Sequence, residues 1–336
     1  MRLLVTGGAG FIGSNFIRYW LGRNAHDEVV NLDALTYAGD IGSLRDIERD
    51  HGARYAFEHA DIADPDAMER VLALHTPDVV VNFAAESHNS RAVVDPAVFV
   101  RTNVVGTQTL LEAARRHGVG RFHHISTCEV YGDLPLEAGE AFTEASPYRA
   151  RTPYNASKAA ADLIVRAYGE TYGLPVTIST CANNYGPWQH PEKLIPLFTT
   201  NALDDQPLPL YRHSANRREW IHVDDHCAAV DAIVRHGRIG ETYNVGTGDE
   251  HSIDQIADTI LAILGRPSSL KHYVDDRPGH DRRYLLDHGK IERELGWRPA
   301  IGFDEGLRST IHWYGQHRDW WEPKKAVGVD EFAWRR

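Results

Sequence analysis

A strand, a glycine-rich turn and a helix open this chain, and that order constrains its fold more than any other feature. Residues 2–6 are mostly apolar, and Gly7, Gly10 and Gly13 follow with the spacing GxxGxxG. The next residues repeat with the apolar period of a helix. In this context glycines let backbone N–H groups approach a pyrophosphate at the helix N-terminus. The pattern therefore predicts a dinucleotide-binding unit.

The acid at position 33 indicates which dinucleotide would bind. Residues 29–33 have the pattern of a second strand, and Asp33 ends it 20 residues after Gly13. A carboxylate there accepts hydrogen bonds from the adenosine ribose and repels a 2′-phosphate, so we expect NAD rather than NADP. The alternative is an ordinary strand–helix turn followed by a surface acid. That alternative does not require the glycine-rich turn and the acid at the end of the second strand to occur at this spacing.

Strands and helices alternate through the first half of the chain. This alternation predicts an α/β fold with a Rossmann-type doubly wound parallel sheet. The other predicted elements of this half are strands at residues 55–57, 78–83, 122–126 and 176–179, helices at residues 67–74 and 103–116, and a polar loop at residues 86–91.

The pattern changes after residue 187, where prolines cluster and loops separate short elements. We expect an NAD-binding domain over residues 1–187 and a smaller C-terminal substrate-binding lobe over residues 188–323, with later segments crossing back to the main sheet. Residues 324–336 would form a tail, and the chain is expected to be loosely attached from Trp320 onward. Helical patterns also cover residues 224–235, 253–264 and 291–295, and each belongs to one lobe or the other.

Composition limits the classes of partner and compartment. Lys plus Arg is 36 and Asp plus Glu is 47, and the formal charge of −11 disfavours binding to nucleic acid or to an anionic membrane. No apolar stretch approaches the ~20 residues that span a bilayer, and we expect no signal peptide before the first strand. The three cysteines form no CxxC pair, so a reducing, cytoplasmic location is expected. The adjacent His123 and His124 point to opposite faces of a strand, and no metal is expected.

Residues with reactive side chains concentrate between positions 123 and 158. A strand pattern ends near Thr127, where a parallel sheet opens its ligand crevice, and Cys128 and Glu129 follow. Tyr154 and Lys158 are four residues apart at the start of a helical pattern, so they share one helix face. A lysine ammonium beside a tyrosine stabilises the phenolate and lowers its pKa. We interpret this as a site that oxidises an alcohol and then removes a proton beside the new carbonyl, with Glu129 as a second candidate base.

Several segments resemble one family of the extended short-chain dehydrogenase/reductases that act on nucleotide sugars. The resemblance is to the dTDP-glucose 4,6-dehydratase family, and it covers the chain from residue 1 to residue 323. Its most particular pieces are Leu-Thr-Tyr-Ala-Gly at residues 35–39 and Arg-Pro-Gly-His-Asp-Arg-Arg-Tyr at residues 277–284. Further matching pieces lie at residues 6–14, 84–88, 183–187 and 191–196.

The resemblance implies a reaction in which NAD⁺ is reduced and reoxidised within one turnover. Tyr154 would take the C4 hydroxyl proton, Thr127 would hold O4, and Glu129 would remove the C5 proton. An acid at position 128 would protonate the departing C6 hydroxyl, and hydride returned to C6 would give a 4-keto-6-deoxy sugar. The resemblance also implies a homodimer that pairs through the helices at residues 103–116 and 154–168.

Two sets of binding residues follow from the resemblance, one for each ligand. Arginines suit the pyrophosphate of the substrate because they form bidentate, charge-assisted hydrogen bonds. The implied NAD contacts are Gly7, Gly10, Phe11, Ile12, Gly13, Asp33, Leu35, Thr36, Asp61, Ile62, Ala84, Ala85, Thr102, Tyr154, Lys158, Cys181 and Asn184. The implied contacts to a nucleoside-diphosphate sugar are Ser87, His88, Asn183, Lys193, Leu194, Pro209, Tyr211, Arg218, Arg277 and His280.

Cys128 is the largest departure from the family, which has Asp at this position. A thiol is protonated at neutral pH and can donate a proton, but it is intrinsically a weaker donor than a carboxylic acid. Three roles are open: Cys128 replaces the acid, Glu129 performs both proton transfers, or elimination is redirected to an exocyclic 5,6-ene with hydride returned to C4. A small buried filler is the purely structural alternative.

Other departures concern the sugar pocket. Asn89 and Ser90 replace Val and Asp of the family, Thr180 replaces Arg, and residues 212–214 replace a Gly-Asp-Gly type of turn. They are compatible with a specialised deoxysugar pathway, such as one of antibiotic biosynthesis, and leave the nucleotide base and the sugar open. A 4-epimerase would not need Glu129, and a binding protein without chemistry would not need the Tyr/Lys pair.

Overall fold

The structure is a computed structural model that describes residues 1–137, 139–212, 215–276 and 278–326. No helix in these ranges combines the length and the apolar character needed to cross a bilayer. The strands are β1 (Arg2–Thr6), β2 (Glu28–Asp33), β3 (Tyr55–His59), β4 (Val79–Asn82), β5 (Arg121–Thr127), β6 (Val176–Cys181), β7 (Asn183–Tyr185), β8 (Leu208–Tyr211), β9 (Arg217–His222), β10 (Thr242–Val245), β11 (Glu250–Ser252) and β12 (Lys271–Val274). The helices are α1 (Phe11–Arg23), α2 (Arg45–His51), α3 (Pro65–His75), α4 (Asn89–Val94), α5 (Pro96–Phe99), α6 (Thr107–Arg116), α7 (Pro153–Tyr172), α8 (Leu194–Leu203), α9 (Val223–His236), α10 (Ile253–Leu264), α11 (Gly289–Leu295), α12 (Phe303–Gln316) and α13 (Arg318–Ala326).

The main sheet has seven parallel strands in the order β10-β6-β5-β4-β1-β2-β3. The chain runs from β1 outward to β3 and then returns to the other side of β1 at β4, which creates a switch point between β1 and β4. The prediction of a doubly wound parallel sheet is therefore confirmed. The edge strand β10 comes from the second half of the chain, so later segments do return to this sheet.

Helices cover both faces of the sheet because successive side chains of a strand point to opposite sides. In β1, Leu3 and Val5 pack with Phe16 of α1 and with residues of α9. Leu4 faces the other way and packs with residues of α3, α6 and α7, including Leu111. A strand buried on both faces has a nearly continuous apolar sequence, as β4 does in its first three residues, all valine.

A second apolar core lies among α8, α10 and α12 and includes Phe198, Ile256 and Leu307. Two small sheets border it: β7, β9 and β11 form one, and β8 pairs with β12 in the other. Helix α9, from the second half of the chain, packs against α1 at the start of the chain. The expected division at residue 187 stays a prediction.

The predicted polar loop over residues 86–91 is wrong in its second half, because α4 begins at Asn89. Nδ1 of His88 accepts a hydrogen bond from the backbone N–H of Arg91 (3.4 Å) and caps this helix. The Arg91 guanidinium lies over the ring of Tyr37, 3.6 Å from its centroid. So short a helix has little intrinsic stability, and contacts with distant residues decide that it forms.

The expectation of a loosely attached chain from Trp320 onward is wrong for the described residues, because α13 packs on the protein. Trp321 is fully buried, and its indole N–H donates to the Tyr314 carbonyl (2.8 Å). Nζ of Lys324 forms an ion pair with Asp40 (2.7 Å). Large aromatic side chains contribute much of the buried area of a core, and Trp321 fixes this helix in that way.

We expect Trp321→Ala to lower the free energy of unfolding by about 3–5 kcal/mol, because it leaves a large cavity under α13. Urea denaturation would measure the loss. Leu74→Ala is the control, since Leu74 is 64% exposed and its truncation should change stability by no more than about 0.5 kcal/mol. An unchanged midpoint for Trp321→Ala would contradict this account of α13.

Candidate active site

A pocket lies where the strands of the main sheet end. Its wall contains Gly7 after β1, Asp33 at the end of β2, Phe83 after β4, Thr127 at the end of β5 and Cys181 at the end of β6. Ligands of open α/β sheets bind in the crevice beyond the carboxyl ends of the strands, at the switch point. The pocket occupies that position.

The glycine-rich turn forms one wall of this pocket. Its residues are glycines because the backbone passes very close to neighbouring atoms. Gly7 has a φ of +68°, and a Cβ atom there would lie 2.6 Å from the backbone nitrogen of Ala84. A Cβ atom on Gly13 would lie 2.3 Å from the Gly7 carbonyl oxygen. No side chain caps α1 at Gly10, so the start of this helix can offer backbone N–H groups to a phosphate.

Asp33 lies beside that turn with its carboxylate fixed by the backbone. Its Oδ2 accepts from the Ala9 N–H (2.9 Å), and its Oδ1 accepts from the Leu35 N–H (2.8 Å). Burial raises the pKa of Asp33, and the two backbone hydrogen bonds act in the opposite direction. The turn and the carboxylate together fit the pyrophosphate and the ribose of a dinucleotide without a 2′-phosphate.

Tyr154 and Lys158 lie on the first turns of α7. Thr152 caps this helix, since its hydroxyl accepts from the Asn155 N–H (3.2 Å), and Pro153 occupies the first helical position. Both reactive side chains are buried and line the pocket. The structure thus brings together the pair that the four-residue spacing predicted.

The ammonium of Lys158 points toward the sheet. Its Nζ donates to the Ile125 carbonyl (2.6 Å) and lies 3.2 Å from Nε2 of His124. Oδ1 of the buried Asp162 lies 3.5 Å from that same His124 nitrogen. Burial lowers the pKa of Lys158, and the negative charge of Asp162 partly offsets this effect.

The expected effect of Lys158 on the pKa of Tyr154 is wrong for the polypeptide by itself. Burial raises the pKa of Tyr154 well above the ordinary tyrosine value, and the charge of Glu129 acts in the same direction. The hydroxyl of Thr127 opposes them. The polypeptide alone therefore favours the protonated form of Tyr154 at neutral pH.

Cys128 and Glu129 belong to a short 3₁₀ turn, Cys128–Tyr131, and they point in different directions. Glu129 lines the pocket, and its Oε2 accepts from Nδ2 of Asn89 (2.8 Å). Cys128 is not among the described residues that line it; the thiol is buried, 4.0 Å from Oδ1 of Asn183. Burial raises the pKa of Cys128 well above its usual range, so this thiol is neutral.

Residues after position 190 supply cationic and aromatic groups to the pocket. Arg218 is buried, donates from Nη2 to the Asp281 carbonyl (2.6 Å), and lies over the Tyr284 ring at 4.7 Å. Nζ of Lys193 donates to the Ser87 carbonyl across the pocket (2.9 Å). These cations face the same space as the glycine-rich turn, which suits a ligand with phosphates.

Most of the predicted site residues lie on this one pocket. Leu35, Cys128 and Pro209 are not among its described lining residues, and Arg277 lies outside the residues that the structure describes. The predicted residues that line it are Gly7, Gly10, Phe11, Ile12, Gly13, Asp33, Thr36, Asp61, Ile62, Ala84, Ala85, Ser87, His88, Thr102, Thr127, Glu129, Tyr154, Lys158, Cys181, Asn183, Asn184, Lys193, Leu194, Tyr211, Arg218 and His280.

Sequence reasoning missed several lining residues. Glu192 accepts from the Tyr37 hydroxyl (2.9 Å), and burial raises the pKa of Glu192. Tyr284 also lines the pocket, beneath Arg218. Asn89, which the sequence identifies only as a departure from the family pattern, also belongs to the pocket wall. Both Glu192 and Tyr284 lie within the family-like segments, and that was the only signal that could have identified them.

The fold, the glycine-rich turn and the Tyr154–Lys158 pair define an extended short-chain dehydrogenase/reductase. Comparison with known proteins narrows the class. The family model described as GDP-mannose 4,6 dehydratase matches residues 4–310. The chain belongs to this family of nucleotide-sugar dehydratases.

Individual relatives agree with this assignment over nearly the whole chain. A dTDP-glucose 4,6-dehydratase of Shigella flexneri is 48% identical, over 97% of this chain and 96% of that protein. The crystal structure of DesIV, a dTDP-glucose 4,6-dehydratase of Streptomyces venezuelae with NAD bound, has a TM-score of 0.92 and 51% identity, over 96% of this chain and 100% of that one. A UDP-glucose 4-epimerase of Thermus thermophilus in complex with NAD has a TM-score of 0.86 and 32% identity, over 94% and 100%.

We expect Gly13→Ala to destabilise the protein by about 1–3 kcal/mol, because the new Cβ overlaps the Gly7 carbonyl. It should also weaken dinucleotide binding. Gly22→Ala in the same helix is the control: its Cβ would meet no atom within 4 Å, so it should gain about 0.5–1 kcal/mol. Urea denaturation and dinucleotide titration measure both effects. Equal behaviour of the two variants would refute the role given to the turn.

Proposed function

We propose that this chain is an NAD-dependent nucleotide-sugar 4,6-dehydratase whose substrate is dTDP-glucose or a close relative. The main observation in its support is that one pocket is lined by Glu129 and Tyr154, by the glycine-rich turn and by the cations Lys193 and Arg218. A dehydratase needs a base for the hydroxyl and another for the carbon acid beside the new ketone. The names of the most similar relatives support the substrate class.

Each polar residue then has a role that its position supports. Tyr154 would act as a phenolate, the form that positive charge beside it stabilises, and would take the proton of the C4 hydroxyl. Thr127 would hydrogen-bond O4, and Glu129 would remove the proton that the C4 ketone has acidified. Bound NAD⁺ would supply a positively charged ring that accepts the C4 hydride and returns it to C6. Lys158 would hold the ribose of the cofactor, and Arg218 and Lys193 would hold the nucleoside diphosphate.

Of the three roles left open by Cys128, the geometry favours proton transfer in both directions by Glu129. The buried thiol has its nearest recorded polar partner at 4.0 Å, Oδ1 of Asn183, and Cys128 is not among the described lining residues, whereas Glu129 belongs to the pocket wall. After taking the C5 proton, Glu129 is a carboxylic acid and can give a proton to O6 as the C6–O6 bond breaks. Water then leaves, and C5 later receives a proton from solvent.

The same proposal includes a homodimer in the cytoplasm. Val105 in the π-helical stretch Val100–Gly106 and Leu163 on α7 are 47% and 59% exposed. An apolar face on two neighbouring helices suits pairing with a second copy of the chain. The three cysteines are free thiols, which suits a reducing compartment.

Incubation with dTDP-glucose tests the reaction directly. We expect a product lighter by one water, with a new C6 methyl doublet in the proton NMR spectrum. Exocyclic alkene protons would identify a 5,6-dehydratase. An unchanged mass with an inverted C4 centre would identify an epimerase. Either of those results would contradict the proposal, and a panel of other nucleotide sugars would identify the preferred base.

Two substitutions separate the roles of adjacent residues. Glu129→Gln should lower turnover by roughly 10²–10⁴-fold and stop solvent deuterium entering C5, because it removes the general base. Cys128→Ala should stay within about tenfold of the wild type, since the thiol transfers no proton. Steady-state rates and NMR of the product in deuterium oxide provide both measurements. If Cys128→Ala were as damaging as Glu129→Gln, Cys128 would be the acid.

A further inference from the structure

Asn89, at the start of α4, connects the two catalytic segments of the site. Its Nδ2 donates to Oε2 of Glu129 (2.8 Å), and its Oδ1 accepts from the Thr152 hydroxyl (2.8 Å). The side chain is buried and belongs to the pocket wall. Thr152 in turn caps α7, the helix that carries Tyr154. One amide therefore spans the 3₁₀ turn of Glu129 and the helix of Tyr154.

The orientation of this amide follows from the chemistry of its neighbours. The Thr152 hydroxyl oxygen already accepts from the Asn155 N–H (3.2 Å), and its proton is directed to Asn89 Oδ1. An ionised carboxylate only accepts, so the nitrogen of Asn89 faces Glu129. The N–H to carboxylate contact is charge-assisted, and such bonds are about twice as strong as neutral ones. While Glu129 is ionised, a reversed amide would place its oxygen against the carboxylate and lose this hydrogen bond.

We propose that Asn89 is a positioning residue that holds the Glu129 carboxylate toward the substrate and favours its ionised form. This inference rests on the proposed function of Glu129 as the base. A donor to the charged form of an acid stabilises that form. The same contact restricts the carboxylate to one orientation, which general base catalysis requires.

Other groups also influence Glu129, and each lies on a different segment. Tyr154 on α7, Cys181 at the end of β6, Tyr284 and the neighbouring Cys128 all interact with its charge. Burial raises the pKa of each of these four groups, so all of them are neutral at pH 7. Arg218 is a charged group of the same surroundings, because it interacts with both Tyr284 and Cys128. Among these contacts, the charge-assisted hydrogen bond to the Glu129 carboxylate comes from Asn89.

The decisive variant is Asn89→Asp, which keeps an acceptor for Thr152 and replaces the donor to Glu129 by a second carboxylate. With dTDP-glucose in deuterium oxide, we expect deuterium entry at C5 to fall roughly ten- to hundredfold at neutral pH. The acid limb of its pH profile should move to higher pH, because a like charge disfavours the ionised form. The first step, measured as NADH absorbance in a single turnover, should stay within roughly threefold. Asn89→Leu should give a smaller shift in the same direction.

Two further variants make the result unambiguous. Val94→Ala, at the 56% exposed end of α4, should match the wild type in every measurement and control for disturbance of the helix. Asn89→Asp with a wild-type pH profile would overturn the inference, as would an equal loss of NADH formation and deuterium entry. Glu129→Gln, run in parallel, separates the two proposals. If it blocks exchange while Asn89→Asp does not change it, this inference alone fails; if it leaves exchange intact, the proposed base fails as well.

Discussion

The buried ammonium of Lys158 is the constraint on which the arrangement of this site depends. A charge taken out of water destabilises a fold unless neighbouring groups compensate for the lost hydration. Here the Ile125 carbonyl accepts from Nζ, and His124 and Asp162 provide polar and negative groups beside it. These partners belong to β5 and α7, so the end of the strand and the helix are fixed relative to each other. Tyr154, one turn before Lys158, is thereby held at the pocket wall.

The features predictable from sequence are those that local backbone geometry determines. Gly7 and Gly13 indicate the turn because a side chain at either position would overlap neighbouring backbone atoms. The position of Asp33 beside the turn is predicted from its spacing along the sequence. Tyr154 and Lys158 share a helix face by their spacing alone. The two small sheets and the return of β10 to the main sheet depend on pairings between distant segments, and no local pattern gives them.

The features that the sequence alone could not determine are those that depend on packing. A pattern places Cys128 beside Glu129, but only the path of the 3₁₀ turn decides that the carboxyl faces the pocket and the thiol does not. The pKa of Tyr154 is raised by burial, which spacing to Lys158 cannot reveal. Trp321 likewise was assigned to a loose tail because its burial depends on a distant part of the chain.

Under the proposed mechanism, in which Glu129 performs both proton transfers, the departures at positions 89 and 128 have a common explanation in the contact between Asn89 and Glu129. A donor to the carboxylate makes Glu129 a weaker base but, once protonated, a stronger acid. The weaker base is sufficient because the C4 ketone already acidifies the C5 proton. The stronger acid is what the departing C6 hydroxyl needs when Cys128 offers no carboxyl group. An amide at position 89 therefore compensates, at a neighbouring site, for the acid that position 128 lacks.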